Sequence, residues 1–253
     1  MILQSQADLD GMKAASKAVA EALSRTIAYA QVGMNTLDLD FFAKGCLEEY
    51  GAKSAPKVMY KFPGYTCISV GHEIAHGIPS EKRILKEGDL INVDISAELN
   101  GYFADNGCSF VLGEDLHGHS KLVEASRDIL RLAIAKIKPG VKIAEFGRFI
   151  ETEAKKRGFK VITNLAGHGI GRKLHESPDE ILNCFNRFNF QRFKVDSTVA
   201  IETFISTHST VAETQEDGWT LLGNRGGFTA QHEHTLIIRE DGIEILTLGN
   251  GVW

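Results

Sequence analysis

The run Leu90-Ile91-Asn92-Val93-Asp94-Ile95-Ser96-Ala97 alternates apolar and polar residues, the period of a strand with one buried face. Ile91, Val93, Ile95 and Ala97 form its apolar side, and Asn92, Asp94 and Ser96 its polar side. Asn100-Gly101 follows, a pair that accepts the positive φ angles of a two-residue type I′ turn. That turn pairs Leu99 with Tyr102 and sets Asp105 opposite Ser96, diagonal to Asp94, so the two carboxylates share a face. Diagonal neighbours lie about 7–8 Å apart, too far to hydrogen-bond to each other and suited to gripping cations from two sides. On the hairpin alone, two ordinary aspartates on a solvated face are an equal alternative.

Helical spacing takes over elsewhere. Leu9, Met12, Ser16, Val19, Leu23 and Ile27 form one stripe, which predicts an amphipathic helix over 6–30. A second helix is expected from a Thr36 cap to a stop at Gly51, with Leu39, Phe42, Ala43, Cys46 and Tyr50 on its inner face. Helices over 119–137 and 143–157 follow the hairpin. A shift of 107 residues aligns Gly33 with Gly140, Asp38 with Glu145, Phe42 with Phe149, Gly51 with Gly158 and Lys53 with Lys160. This suggests an internal duplication, with halves of about 1–112 and 113–253 sharing one sheet and one core in a single domain. The second half ends in strands 198–205 and 230–237, which carry Glu202 and Glu233 as counterparts of Asp94 and Asp105. Asp241-Gly242 closes a further hairpin.

A formal charge of −5 with mixed signs throughout offers no basic stripe, so nucleic acid is not an expected partner. Cys46, Cys67, Cys108 and Cys184 are too scattered for a disulfide framework, which fits a reducing cytoplasm. Neither a signal-peptide pattern nor an apolar run long enough to span a bilayer is present, so no membrane association is expected.

Four acids converging on one sheet face repel one another unless cations intervene. Two divalent ions would remove the repulsion. Oxygen ligands with one imidazole suit Mn²⁺, Fe²⁺, Co²⁺ or Zn²⁺, and ions about 3.5–4 Å apart support hydrolysis. His168, set in Gly167-His168-Gly169-Ile170-Gly171, is the candidate imidazole, because flanking glycines let backbone and ligand approach closely. His72-Glu73-Ile74-Ala75-His76 matches the zinc-protease pattern H-E-x-x-H literally. That chemistry needs a helix, whereas a strand-like run precedes these residues and Gly77 and Pro79 follow them, so the match is read as a decoy.

The chain resembles the type I methionine aminopeptidases, in their short form without an N-terminal zinc-binding extension, over almost its whole length. The resemblance rests on Cys67-Ile68-Ser69-Val70, Ala75-His76-Gly77-Ile78-Pro79-Ser80, Lys86 to Asp94, Gly101 to Asp105, Gly167 to Gly171, His175-Glu176-Ser177-Pro178, Ala200-Ile201-Glu202 and Gln231 to Thr235, in order. It implies an α/β pita-bread fold: two pseudo-symmetric halves around a curved antiparallel sheet, with helices on the outer face. It further implies a dinuclear site of Asp94, Asp105, His168, Glu202 and Glu233 in which Asp105 and Glu233 bridge two ions, their identity unspecified. Hydrolysis by a bridging hydroxide would then release initiator methionine from nascent chains with a small second residue. Glu202 is implied as proton shuttle, His76 as a contact of the scissile amide nitrogen, and His175 as a stabiliser of charge on the carbonyl oxygen. Met59, Phe62, Cys67, Leu174 and Trp219 map onto the pocket for the substrate side chain. A monomer in the cytoplasm is expected, and ribosome docking is left open.

Three departures from the family pattern stand out. Gly71-His72 replaces Asn-Glu, a change expected to alter how the substrate backbone is held, Thr203 replaces proline, and Asn106-Gly107-Cys108 replaces a threonine-containing segment. Two rival readings use the same fold: a proline-specific peptidase, whose relatives usually carry an extra N-terminal domain, and a partner-binding protein without metals.

Overall fold

The computed structural model describes residues 1–250. Helix α1 (Gln6–Tyr29) is capped by Ser5, whose Oγ accepts from the Asp8 N–H at 3.2 Å. Helix α2 (Thr36–Glu48) is capped by Asn35 rather than Thr36, with Oδ1 accepting from the Asp38 N–H at 2.8 Å. Asn35 holds the last extended backbone before the helix, so its side chain is the one that folds back over the free donors. The Thr36 hydroxyl accepts from the Ser80 N–H instead.

Short elements follow: β1 (Lys53–Ser54), α3 (Ala55–Tyr60), β2 (Cys67–Val70) and β3 (Glu73–Ala75). The expected hairpin is β4 (Leu90–Leu99) and β5 (Tyr102–Val111), with Leu99 opposite Tyr102 and Ser96 opposite Asp105. Asn100 and Gly101 take φ of 52° and 81°, the left-handed pair a type I′ turn demands. Then come α4 (Ser120–Ile134), α5 (Ile143–Lys156), β6 (Lys160–Val161), β7 (Ala166–Gly169) and β8 (Glu176–Leu182). The chain continues through β9 (Thr198–Ser206), β10 (Ala212–Thr214), β11 (Leu221–Gly223), β12 (Thr229–Ile238) and β13 (Ile243–Ile245).

Among the described residues one ten-stranded sheet runs β1-β4-β5-β12-β9-β7-β8, with β2 on β4, β6 on β9 and β13 on β12. Strands β10, β11 and β3 make a second, small sheet. Period-two alternation sends Ile91, Val93, Ile95 and Ala97 into a core with Met12, Val19, Leu23 and Leu39 of α1 and α2. Val199, Ile201, Ile205 and Leu236 likewise join Ile129, Ile134, Phe146 and Ile150 of α4 and α5. The alternate residues of β4, β5, β9 and β12 face the other way, and the seam between β5 and β12, where His232 pairs with Cys108, brings the acids of the two hairpins together.

Because the turn fixes which residues share that face, Gly101→Ala should destabilise the protein by roughly 1–2 kcal/mol, the strain of a left-handed non-glycine residue. Equilibrium urea unfolding measures this, and an unchanged midpoint would contradict the turn's role.

Candidate metal centre

Each strand contributes a side chain that its register leaves no choice but to point into the cleft. Asp94 pairs across β4 and β5 with Gly107, and Asp105 with Ser96. Glu202 and Glu233 sit directly opposite each other on β9 and β12. His168 lies on β7, at the place where its pairing with β8 slips register between Gly167 and Gly169. Both glycines are required by close packing: a Cβ on Gly167 would lie 2.4 Å from the Ala200 carbonyl oxygen, and one on Gly169 2.4 Å from that of Ser177.

The five side chains converge on one cavity of about 310 Å³. One ligand atom each from Asp105, His168 and Glu233 falls within 4.8 Å of the others. His168 Nδ1 donates to the Gly169 carbonyl at 3.0 Å, since a carbonyl only accepts, and this leaves the Nε2 lone pair facing Asp105 Oδ2 at 3.8 Å. Asp105 Oδ1 and Glu233 Oε1 are buried without a hydrogen-bond partner. Such an oxygen costs on the order of 1–3 kcal/mol in desolvation, so two of them beside the His168 imidazole make a donor set that fits a divalent cation.

The electrostatics agree. Burial pushes the Asp94 carboxyl up to about 6, and burial together with the neighbouring carboxylates raises Asp105, Glu202 and Glu233 well above the usual range. Asp94 and Asp105 come close enough for their carboxyl groups to interact directly, nearer than strand geometry alone predicts, because both side chains lean into the cleft. Burial, then repulsion from His175, lowers His168 to about 3 and keeps it neutral, as a ligand must be.

His76 and His175 both line this cavity. His76 holds a left-handed φ of 55° just after β3. His175 Nδ1 lies 2.6 Å from the Tyr60 hydroxyl, and its ring is 4.0 Å from that of His168. Phe62, Cys67, Leu174 and Trp219 form an apolar wall, with Trp219 edge-on to Phe62 at 5.2 Å. Met59 is not part of that wall. It is absent from the residues that line the cavity, whereas Tyr60, the next residue of the short helix, lines it. Burial, then Asp94, pushes the Cys67 thiol well up and keeps it neutral.

The H-E-x-x-H segment is strand, not helix: Glu73 begins β3 and accepts from the Val70 N–H at 2.8 Å. His72 stacks on Phe228 with ring centres 4.5 Å apart and is not among the residues that line the cavity. Thr203 points to the helix side, 3.0 Å from Ser126 Oγ. Sequence reasoning missed Tyr60 and also Gln231, which donates to Glu202 and Glu233. Gln231 was findable, because it stands two residues before Glu233 and therefore on the same strand face.

Residues 10–240 match metallopeptidase family M24. The chain belongs to that family. Methionine aminopeptidase 2 of Bacillus subtilis is 44% identical over 247 residues, covering 98% of this chain and 99% of its own. The methionine aminopeptidase of Staphylococcus epidermidis is 39% identical, covering 96% of each chain. The crystal structure of a methionine aminopeptidase from Thermotoga maritima superposes with a TM-score of 0.92 at 33% identity, covering 98% of this chain and 99% of that one. The prolidase of Pyrococcus furiosus shares the fold at a TM-score of 0.78 and 21% identity, with this chain covering 65% of its length. The architecture is thus the pita-bread fold that the sequence resemblance implies.

The raised carboxyl pKa values set the sign of a pH effect. A carboxyl with a higher pKa folded than unfolded holds its proton only in the fold, so metal-free stability is lost as pH rises through the folded values. The buried neutral histidines act oppositely and below about pH 6.5, their ordinary value. As pH rises above the ordinary histidine value of about 6.5, the metal-free protein should therefore melt at progressively lower temperature, and Glu233→Gln should flatten the trend. Calorimetry in chelator checks this, and a flat profile for the unsubstituted protein would contradict the assigned burial of charge.

Proposed function

We propose that this chain is a metal-dependent aminopeptidase that removes N-terminal methionine from peptides and new chains, with preference for a small second residue. The observation that carries the proposal is the meeting, in one cavity, of unpartnered carboxylate oxygens, a neighbouring imidazole and an apolar wall. The names of the relatives similar over nearly the whole chain point to the same activity.

Asp94, Asp105, His168, Glu202 and Glu233 would hold two divalent ions. When bound, the ions supply Lewis acidity and a nucleophilic hydroxide at neutral pH. Co²⁺, Mn²⁺, Fe²⁺ and Zn²⁺ all suit this ligand chemistry. Glu202, which lines the cavity beside the other acids, moves the proton from nucleophile to leaving amine. His76 faces the scissile amide nitrogen. Tyr60 fixes the His175 ring through Nδ1 and so leaves Nε2 for the carbonyl oxygen of the substrate. Phe62, Cys67, Leu174 and Trp219, with Tyr60, enclose the methionine side chain, whose polarizable thioether suits aromatic and sulfur neighbours.

We read 1–112 and 113–253 as two copies of one unit within a single domain, residues 251–253 lying outside the described residues. The reading is supported by α1 and α2 over β4 and β5, and α4 and α5 over β9 and β12. Among the described residues no helix is long and apolar enough to cross a membrane. The four cysteines are free, which supports residence in a reducing compartment such as the cytoplasm.

After chelation and anaerobic restoration of each metal, a Met-Ala peptide should release free methionine, while Met-Leu, Ala-Pro and N-acetyl-Met peptides should remain largely intact. Predominant cleavage of Ala-Pro would move the assignment to the proline-specific relatives, and metal binding without turnover of any peptide would favour a binding protein. His175→Ala should lower kcat about 10²–10³-fold, the range for losing one donor to a developing oxyanion, with metal content unchanged.

A further inference from the structure

The segment Asn106-Gly107 and the side chain of Gln231 form one device behind the acids. The Gln231 amide Nε2 donates to Glu233 Oε2 at 3.0 Å and to Glu202 Oε2 at 3.3 Å. Its Oε1 accepts from Asn92 Nδ2 at 2.8 Å. That bond fixes the amide orientation, because Asn92 can only donate through that nitrogen. Ser109 Oγ, which Asn92 Nδ2 also reaches at 3.2 Å, accepts from the Gln231 N–H at 2.8 Å, so the residue is held at both ends. Asn106 Nδ2 donates to the Glu233 carbonyl from the neighbouring strand.

Gly107 makes the arrangement possible. A Cβ at that position would lie 2.2 Å from Gln231 Oε1 and 2.4 Å from Nε2. A side chain at 107 would therefore force that amide to shift.

We propose that Gln231 is a positioning residue that clamps Glu202 and Glu233 through one oxygen each, so that their second oxygens are aimed together at the cations, and that the lack of a side chain at Gly107 leaves the room that seats it. Glu202 and Glu233 are directly opposite in register, and two facing carboxylates otherwise rotate apart to reduce their repulsion. The amide supplies a hydrogen to each and cancels that tendency. Glu233 Oε1, the oxygen left over, is one of the unpartnered buried atoms. The inference rests on the reading of Glu202 and Glu233 as metal ligands.

The test is stepwise titration of metal-free protein with Mn²⁺ by isothermal calorimetry, alongside Co²⁺ absorption spectra and thermal melting in chelator. Gln231→Met keeps length and volume without the donors, and Gly107→Ala displaces the amide while leaving Gln231 in the chain. Both should weaken Mn²⁺ binding on the order of 10- to 100-fold, the usual effect of removing a partner of a metal ligand. Both should also shift the Co²⁺ visible spectrum in the same way, with little change in metal-free melting. Gly107→Ala is the gentler variant, because the colliding atoms end a flexible side chain. Unchanged Mn²⁺ affinity and Co²⁺ spectrum in both variants, with the unsubstituted protein binding metal, would overturn the clamp alone. A lack of Mn²⁺ uptake by the unsubstituted protein would overturn the ligand reading and the clamp with it.

Discussion

The structure is organised around the burial of four carboxyl groups on one sheet face. Burying an unpaired charge is so unfavourable that proteins shift its pKa or surround it with compensation, and here both occur. Asp94, Asp105, Glu202 and Glu233 all hold their protons more tightly than free carboxyls do. Among the described residues no lysine or arginine lines the cleft to neutralise them. Compensation from outside the chain is the remaining solution, and the unpartnered oxygens of Asp105 and Glu233 mark where it acts.

The rest of the fold serves that constraint. Two helix pairs cover the opposite sheet face with apolar side chains, so the strands cannot rotate to expose their acids without breaking two cores. Hydrogen bonds across the β5 and β12 seam add rigidity: Thr235 Oγ1 accepts from the Asp105 N–H at 2.9 Å and donates to its carbonyl at 2.8 Å. The imidazoles are oriented too, His168 by the Gly169 carbonyl and His175 by the Tyr60 hydroxyl, so each presents a chosen nitrogen to the cleft.

What the sequence could disclose follows from the range of each interaction. Alternation and the Asn100-Gly101 turn are local signals, and they placed Asp94 and Asp105 on a common face with the register later seen. Helix stripes were equally local, although the cap of α2 moved to Asn35 because capping depends on where extended backbone ends. Side-chain reach was the harder quantity. Met59 and Tyr60 are neighbours on one turn of helix, and only the packing of α3 decides which of them enters the cleft. The closeness of Asp94 and Asp105 likewise depends on rotamers that strand periodicity does not specify.

The most direct measurement is the anomalous X-ray scattering of crystals grown with Mn²⁺, with data on both sides of the manganese absorption edge. The account predicts two anomalous peaks between the strands, both within ligand distance of Asp105 and Glu233, with His168 on one ion only. A single ion that leaves Asp105 or Glu233 unligated, or no peak in the cleft at all, would contradict it.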